Sequence, residues 1–169
     1  KAVLCGPPTE NVMSAPGLHL SRLFARLHGE KTRSGILNSL ADGAFNKGQD
    51  IKNAWINSDI GEVEKYNDDE LCGFMFTVNG YINLFELMKN SYETDDWQDV
   101  NGELEILLIA GGDDPVIQSR EKMEHLKKFL EKLGYKRVMM KLYEGMRHEI
   151  LNETAKNLVY DDVLNFFEK

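Results

Sequence analysis

Residues 104–112 read LEILLIAGG, a nearly uninterrupted apolar run that stops at two glycines. Strands that are buried on both faces have this composition, and such strands are typical of parallel sheets. Two shorter apolar runs, at residues 2–5 and 138–143, have the same character. We therefore predict strands at 2–5, 104–110 and 138–143 in a protein of the α/β class.

The segment that connects the second and third predicted strands has the periodicity of an amphipathic helix. Its apolar side chains recur every three or four residues, at Met123, Leu126, Leu130 and Leu133. Gly134 follows in the position of a C-terminal helix cap. A strand, a helix and a strand in this order form a βαβ unit, in which a right-handed crossover makes the two strands parallel.

After the third strand, the sequence predicts a last amphipathic helix over residues 152–169. Asn152 is its expected N-cap, because an Asn side chain can accept a hydrogen bond from the first turn. The side chains that recur on one side of this helix define its expected inner face. They are Val159, Val163, Phe166 and Phe167.

The region between the first strand and the βαβ unit has a different pattern. Helices are expected near residues 17–28, 32–41 and 77–91. The polar stretch in between has no regular periodicity, and no strand is predicted in this region. We therefore interpret residues 9–75 as a helical cap, inserted between a core strand at 1–8 and the rest of the core at 76–169.

Length and charge restrict the classes of function that the chain can have. Its 169 residues suffice for one domain with a core of its own. The net charge of −8 argues against nucleic acid as a partner, because proteins bind nucleic acids by neutralising phosphates with Lys and Arg. No apolar run approaches the roughly 18 residues of a transmembrane segment, and no signal peptide opens the sequence.

Two cysteines, Cys5 and Cys72, are too few for a disulfide framework in a chain of this length. We expect both to be reduced, buried thiols of a cytoplasmic protein. Neither belongs to a CxxC motif or has a His close by in the sequence, so no zinc site is expected. No other metal or cofactor is predicted.

Acidic and imidazole side chains follow the two strands of the βαβ unit. Asp113, Asp114 and Pro115 come directly after the strand at 104–110, and His148 follows the next strand. Parallel neighbouring strands end at the same edge of a sheet, where α/β proteins bind ligands. We therefore expect an Asp and the His to lie close together. Pro115 disfavours helical geometry at Asp114 and should hold it in a turn.

An Asp beside a His at such an edge can form an orienting pair. The carboxylate accepts one ring N–H, and the other ring nitrogen can act as a general base toward a hydroxyl. Two other interpretations stay open from these residues alone. Asp-Pro is also an ordinary turn, and His148 could bond only to its own loop. Asp113 and Asp114 could also bind a metal ion, although two carboxylates are fewer ligands than a cation site needs.

The other histidines and the aromatic residues of the cap are weaker candidates. Three histidines lie on predicted helices and are expected to be solvated at the surface: His19, His28 and His125. A group of apolar residues is most simply explained as core: Phe74, Met75, Phe76, Tyr81 and Phe85. The alternative role for Phe74 and Phe76 is an apolar wall that binds the acyl chain of a substrate.

Four segments resemble the C-terminal half of an α/β-hydrolase: AVLCG, LADGAFNKG, DDELCGFMFTVNGY, and LLIAGGDDPV with KLYEGMRHEILNE. The branch that they resemble contains monoacylglycerol lipases, lysophospholipases and serine aminopeptidase-like enzymes. The resemblance implies the C-terminal part of an α/β-hydrolase fold, with three parallel strands, helices and a helical cap insertion. By position, Asp114 and His148 match the acid and the base of the family's catalytic triad. Glu70 departs from the pattern, because the family usually has a Pro before its equivalent of LCGF.

The nucleophile of the resembled family is a Ser in a G-x-S-x-G elbow between a strand and a helix. The chain has seven serines, and none of them, including Ser34 and Ser119, is framed in this way. In the family's strand order, AVLCG corresponds to the sixth of eight strands, and the nucleophile follows the fifth. We therefore expect the chain to begin just past the nucleophile helix and to need the missing N-terminal portion of the same protein as its partner.

The resemblance thus implies a serine ester hydrolase, a carboxylesterase similar to lysophospholipases and monoacylglycerol lipases, that acts on a small-molecule ester or lipid. The chain alone would supply the triad Asp and His without the Ser and would be inactive. Its first strand would also lack a neighbour, so we expect self-association at that edge. The alternatives are a non-catalytic α/β binding module and a metal-dependent or phosphoryl-transfer enzyme that uses Asp113 and Asp114.

Overall fold

The computed structural model of the protein describes residues 1–41, 43–95, 97 and 100–168. The chain forms two compact units. The first unit comprises Lys1–Thr9, Ala54–Lys65 and Trp97–Lys169. The second unit comprises Glu10–Asn53 and Tyr66–Asp96. The boundaries that we predict from the sequence divide the chain into a core strand at 1–8, a cap at 9–75 and the rest of the core at 76–169. This division stays a prediction.

The first unit contains a three-stranded parallel sheet. Its strands are β1 at Ala2–Cys5, β2 at Glu105–Gly111 and β3 at Arg137–Tyr143, in the spatial order β1-β2-β3. In the register of this sheet, Cys5 lies opposite Ile109. The three predicted strands are therefore confirmed to within one residue at each end, and the βαβ strands are parallel neighbours, as the crossover rule requires.

The central position of β2 explains why the LEILLIAGG run is so apolar. Every side chain from Ile106 to Ala110 is at most 7% exposed. Successive side chains along β2 lie on opposite faces of the sheet, and both faces are covered. Leu107 and Ile109 share a core cluster with Tyr143, which ends β3. The strand that was predicted from composition alone is thus the buried centre of the unit.

The part of the chain that the structure describes contains six α-helices. They are α1 at Ser14–His28, α2 at Gly35–Leu40, α3 at Ile60–Asp68, α4 at Val78–Asn90, α5 at Arg120–Leu133 and α6 at Lys156–Glu168. The predicted helices near 17–28, 32–41 and 77–91 are confirmed. Helix α3 lies in the polar stretch that was expected to be irregular, because only Val63 in it is fully buried and one apolar anchor gives no periodic signal.

The sequence of α5 contains its own start and stop signals. The Ser119 hydroxyl accepts a hydrogen bond from the backbone N–H of Lys122 (3.2 Å), and Gly134 ends the helix in a left-handed conformation. Three of its predicted core residues are buried: Met123, Leu126 and Leu130. Helix α5 is therefore the crossover that makes β2 and β3 parallel.

Two expectations about α6 were wrong. Asn152 is not its N-cap, because the helix begins at Lys156 and the Asn152 backbone N–H donates to the Glu149 carbonyl (2.8 Å) in a turn. Phe167 is 50% exposed and does not belong to the inner face. Val159 and Phe166 are buried because seven residues make almost two full turns, which place both on one side of the helix.

The second unit has its own apolar cluster, and α1, α2 and α4 supply its members. The buried members are Leu18, Leu37, Val78, Tyr81 and Phe85. Two side-chain caps begin its helices: the Ser34 hydroxyl accepts the Leu37 N–H (3.4 Å), and the Thr77 hydroxyl accepts the Gly80 N–H (3.2 Å). An isolated antiparallel bridge joins Arg33 and Thr77.

Several predictions of burial were also wrong. Phe74 and Phe76 were assigned most simply to the core, but they are 50% and 41% exposed. Cys5 is exposed and Cys72 is only half-buried, although both were expected to be buried thiols. Sequence alone gave no reason to separate these residues from Tyr81, because an apolar residue next to a helix start can face either way.

Two further predictions concern the exposure of three histidines and the presence of membrane-spanning helices. His19, His28 and His125 are exposed, as expected. Among the described residues, no helix combines the length and the apolar character that crossing a bilayer requires.

Candidate active site

The carboxyl ends of the three strands supply the residues of the candidate site. Gly6 directly follows β1, Asp114 lies three residues beyond β2, and His148 lies five residues beyond β3. The Nδ1 atom of His148 is 2.9 Å from Oδ2 of Asp114. The expected meeting of an Asp and the His at this edge of the sheet is therefore observed.

The Asp114 carboxylate is held by the turn that follows β2. The residue is 3% exposed, and its Oδ1 accepts the backbone N–H of Val116 (2.8 Å). Pro115 begins a short 3-10 helix, and Asp114 stands before it with φ −74° and ψ 113°. This extended geometry is the one that a following proline imposes. One carboxylate oxygen is thus used by the turn, and the other faces the imidazole.

The neighbouring acid, Asp113, has a different environment. Its side chain is exposed, and its backbone N–H donates to the Met146 carbonyl (3.0 Å). The structure therefore pairs Asp114, and not Asp113, with His148. Within the described ranges, no group of three or more His, Cys, Asp or Glu side chains is arranged to hold a metal ion.

Gly111, the last residue of β2, allows the loop that carries His148 to approach this strand closely. A Cβ atom at Gly111 would lie 2.2 Å from the carbonyl oxygens of both Met146 and Arg147. Such distances are impossible for any residue with a side chain. Gly111 is therefore required by the close packing of the loop that precedes His148 against the end of β2.

Gly6 approaches the Asp–His pair from β1. It has φ +56°, and a Cβ atom there would lie 3.1 Å from Cε1 of His148 and 3.6 Å from Oδ2 of Asp114. The Gly6 backbone N–H donates to the Ile109 carbonyl (2.8 Å), which fixes this approach. Gly6 was not predicted as a site residue, although a glycine at the end of a strand is a usable signal for a close approach of the backbone.

A segment of the first unit, residues 54–58, also packs against the loop of His148. The Trp55 ring lies beside the imidazole, with 5.5 Å between the centroids and 41° between the planes. The Glu149 backbone N–H donates to the Ile56 carbonyl (2.7 Å). This segment was not predicted from the sequence, because it lies in the irregular polar stretch and reaches the site only when the chain is folded.

Glu153 is a further residue near the site whose role was not predicted from the sequence. It is 1% exposed, and its Oε1 accepts the backbone N–H groups of Arg147 (2.8 Å) and Ser58 (3.0 Å). The Ser58 hydroxyl donates to Oε2. A Glu between Asn and Thr in a polar run is typical of a surface residue, so no local signal could have predicted its burial.

The cysteine at the end of β1 is not an activated nucleophile. Cys5 is exposed as a whole residue, but partial burial of its thiol group raises the pKa of this thiol, and the nearby Asp114 carboxylate raises it further. A reactive cysteine needs the opposite environment, in which positive charge lowers the thiol pKa. Cys5 is therefore a protonated thiol at neutral pH.

The arrangement can perform one kind of proton transfer. With its Nδ1–H donated to Asp114, the imidazole presents Nε2 as the acceptor of a proton. The His148 side chain is 32% exposed, so another group can reach it. In the part of the chain that the structure describes, none of the seven serines is hydrogen-bonded to His148.

The candidate substrate residues, Phe74 and Phe76, lie in the second unit. Their rings contact each other edge to face, with 5.6 Å between centroids, and Phe76 also contacts Tyr81 at 5.7 Å. The two phenylalanines thus form a small, partly exposed aromatic surface. Their role in substrate binding stays a prediction.

Comparison with known proteins gives a family match. The family described as serine aminopeptidase, S33, matches residues 1–155. No curated protein matches the chain. Among solved structures, a thermostable carboxyl esterase from Bacillus coagulans is similar with a TM-score of 0.80 and 21% identity, over 98% of this chain and 55% of that one.

Two further structures are similar over the same extent. A monoglyceride lipase from Saccharomyces cerevisiae has a TM-score of 0.66 and 18% identity, over 98% of this chain and 54% of that one. A monoacylglycerol lipase from Paleococcus ferrophilus has a TM-score of 0.65 and 14% identity, over 97% and 56%. The chain thus spans about half the length of these structures. They confirm the predicted fold class, an α/β-hydrolase fold portion with three parallel strands and helices.

Proposed function

Because the chain belongs to the serine aminopeptidase (S33) family of α/β-hydrolases, we propose that it supplies the acid and the base of the catalytic triad of a serine ester hydrolase. Asp114 orients the imidazole, and His148 is the general base. The contact of 2.9 Å between them, at the carboxyl edge of the sheet, is the observation on which the proposal depends.

The proposed reaction has two steps. His148 Nε2 removes the proton of a serine hydroxyl as the serine oxygen attacks the carbonyl carbon of the ester. The imidazolium then gives this proton to the leaving alcohol, and an acyl-enzyme remains. In the second step His148 takes a proton from water as the water oxygen attacks the acyl carbon. The imidazolium then returns this proton to the serine oxygen as the bond between the acyl carbon and that oxygen breaks and the acid is released. Asp114 holds the ring and stabilises its positive charge in both steps.

We propose that the nucleophile lies in a portion of the same protein that precedes Lys1. Two observations support this. None of the seven serines has the G-x-S-x-G frame that exposes a nucleophile on a tight turn after a strand. The chain also spans only about half of the similar structures. Lys1–Lys169 alone would then be inactive, and the preceding portion would be its partner.

The proposed substrate is a small ester or a lipid, such as a monoacylglycerol or a lysophospholipid. Two of the similar structures, a monoacylglycerol lipase and a monoglyceride lipase, support a lipid ester as the substrate. The exposed rings of Phe74 and Phe76 are chemically suited to an acyl chain. The residues around them would then act as the cap. We also propose a cytoplasmic location, consistent with two cysteines that form no disulfide with each other.

Labelling with a fluorophosphonate tests the proposal, because this reagent modifies only a serine that a triad activates. The protein expressed from its complete open reading frame should be labelled at one serine that precedes Lys1. The chain Lys1–Lys169, expressed alone, should not be labelled at any of its seven serines. Stoichiometric labelling of one of those seven would refute the assignment. No labelling of the complete protein would support a non-catalytic binding module instead.

The family description names an aminopeptidase, so esters and amides must be compared. We expect the complete protein to hydrolyse p-nitrophenyl butyrate and not amino-acid p-nitroanilides, because the exposed rings of Phe74 and Phe76 suit an acyl chain better than a charged amino terminus. Preferred hydrolysis of the anilides would keep the triad but replace the ester by a peptide as the substrate. The ratio of the two kcat/KM values measures this preference.

A further inference from the structure

We propose that Glu153 is a positioning residue for His148, and this inference rests on the proposed function of the Asp–His pair. Glu153 lies five residues after His148 and is almost completely buried. In the part of the chain that the structure describes, no hydrogen bond joins its carboxylate to His148 or Asp114. Its effect would pass through the backbone of the loop that carries the imidazole.

The bonds of Glu153 join that loop to the segment at residues 54–58. Oε1 accepts the N–H of Arg147, the residue directly before His148, at 2.8 Å. The same oxygen accepts the Ser58 N–H at 3.0 Å, and Oε2 accepts the Ser58 hydroxyl. All three donors converge on one carboxylate, so both oxygens of a buried charge are satisfied by hydrogen bonds, as burial requires.

The residues on both sides of His148 are attached to the same segment. Before it, the Arg147 guanidinium donates to the carbonyl of Ala54. After it, the Glu149 N–H donates to the Ile56 carbonyl at 2.7 Å. Trp55, between those two carbonyls, lies against the imidazole. Residues 54–58 therefore fix the position of the His148 ring, and the hydrogen bonds of Glu153 join these residues to the loop that carries His148.

Loss of this carboxylate should displace the imidazole without removing any group that reacts. Replacement by Ala would leave the N–H groups of Arg147 and Ser58 without their acceptor in a buried region, and the loop would move to satisfy them. A displacement of about 1 Å at a catalytic group can reduce a rate by about 10²-fold. Substrate binding need not change, because Glu153 is not exposed to a ligand.

The conservative variant Glu153→Gln separates the hydrogen bonds of this side chain from its negative charge. In Glu153→Gln, the amide carbonyl can still accept the Arg147 and Ser58 N–H groups, and the amide N–H₂ can donate to the Ser58 hydroxyl oxygen. Glu144 provides the matched control on the same loop. Its side chain is 76% exposed and forms an ion pair with Arg120 at the surface.

The experiment compares these variants in the protein expressed from its complete open reading frame. The first readout is the proton NMR resonance of the Nδ1–H that His148 donates to Asp114, which lies downfield of all amide protons. His148→Asn assigns the resonance by removing it. The second readout is kcat and KM for p-nitrophenyl butyrate. Thermal melting establishes that each variant is folded.

We expect Glu153→Ala to lose or shift the downfield resonance and to lower kcat about 10²-fold, with KM within about twofold of its original value. Glu153→Gln should keep the resonance and most of kcat, and Glu144→Ala should keep both. If Glu153→Ala does not fold, Glu153→Asp replaces it, because the shorter side chain retains the charge but not the reach. The inference is overturned if the folded variant, Ala or Asp, keeps both the resonance and kcat.

The two proposals can fail separately. If the complete protein hydrolyses no ester but Glu153→Ala still removes the resonance, the positioning role stands and the proposed function fails. If the protein hydrolyses esters and the folded Glu153 variant keeps both the resonance and kcat, the function stands and the positioning role is refuted.

Discussion

At the scale of single residues, the site depends on places where a side chain is absent. Gly111 lets the carbonyls of Met146 and Arg147 approach to distances that no Cβ allows. Gly6 combines a left-handed backbone with direct proximity to the imidazole of His148. The acid and the base are therefore placed by the fit of the surrounding loops as much as by their own bond.

Gly6→Ala should impair both stability and activity. The positive φ of +56° would cost about 1–2 kcal/mol with any L side chain. This corresponds to a fall in Tm of about 2–8 °C for a chain of this size. The new methyl group would also press on Cε1 of His148, 3.1 Å away, and should reduce the rate of ester hydrolysis by about tenfold or more.

Gly48→Ala is the matched control for this substitution. Gly48 has a similar φ of +80°, but a Cβ there would meet no atom within 4 Å. It should lower Tm by a similar amount and leave kcat unchanged. Equal activities of the two variants would show that the contact with His148 has no influence on the reaction.

At the scale of elements, β3 and α6 are joined through Asp162. The Tyr143 hydroxyl donates to the Asp162 carboxylate (2.9 Å), and the Lys141 ammonium pairs with it. The hydrogen bond from Lys141 is the main reason that the pKa of Asp162 is lowered. Burial, followed by the bond to Asp162, raises the pKa of the Tyr143 hydroxyl. The end of β3, from which the His148 loop departs, is thereby attached to the last helix.

The lowered pKa of Asp162 predicts a pH-dependent contribution to stability. A carboxyl group with a lower pKa in the folded state stabilises the protein above its unfolded pKa, and this stabilisation is lost as the pH falls through the folded pKa. Asp162→Asn should therefore lower the free energy of unfolding by about 0.5–1 kcal/mol at pH 7. The difference should begin to fall below the ordinary Asp pKa of 3.8 and disappear below the lowered pKa of the folded state.

Urea unfolding at a series of pH values measures this difference. Asp161→Asn is the control, because Asp161 is the exposed neighbour on the same helix. It should have little effect on the free energy of unfolding at any pH. A difference for Asp162→Asn that is as large at pH 3 as at pH 7 would contradict the ionic origin of the contribution.

The sequence predicts those helices and strands whose own residues carry a local signal. The three strands and α5 have local signals: continuous apolar runs, a helical period, a Ser at the start and a Gly at the end. The start of α6 was mispredicted because the polar residues before it turn back in the fold. Glu153 is the clearest case, since a buried carboxylate looks like any surface acid until its donors are known.

The candidate site was predictable to a similar degree. The Asp114–His148 contact follows from two neighbouring parallel strands and one loop after each, so topology alone sufficed. Trp55 and Ser58 could not be found, because they approach His148 and Glu153 from about 90 residues earlier in the chain and share no motif with them. Contacts of this kind become visible only when the chain is folded.

At the scale of the whole molecule, the edge of the sheet that β1 forms bears on self-association. Strand β1 pairs with β2, and in the part of the chain that the structure describes no other strand pairs with β1. The Gly6 N–H donates inward to β2, so the alternate residues Val3 and Cys5 direct their backbone groups outward. Such an edge can pair with a second copy.

We therefore predict that Lys1–Lys169, expressed alone, self-associates. Multi-angle light scattering should give a mass above the 19.3 kDa of one chain, rising with concentration. Leu4 is 38% exposed on this strand, and Leu4→Lys should shift the mass toward the monomer, because a charge on an edge strand opposes pairing. A monomer at all concentrations would contradict the prediction.

The most direct test of the central claim is kcat for ester hydrolysis by the complete protein with Asp114→Asn, compared with Asp113→Asn. Asp114 is buried against His148 and Asp113 is exposed, so the two substitutions are chemically identical and differ only in place. We predict that kcat falls about 10⁴-fold for Asp114→Asn and less than about threefold for Asp113→Asn. Equal kcat values for Asp114→Asn and the unsubstituted protein would contradict a triad in which Asp114 orients His148.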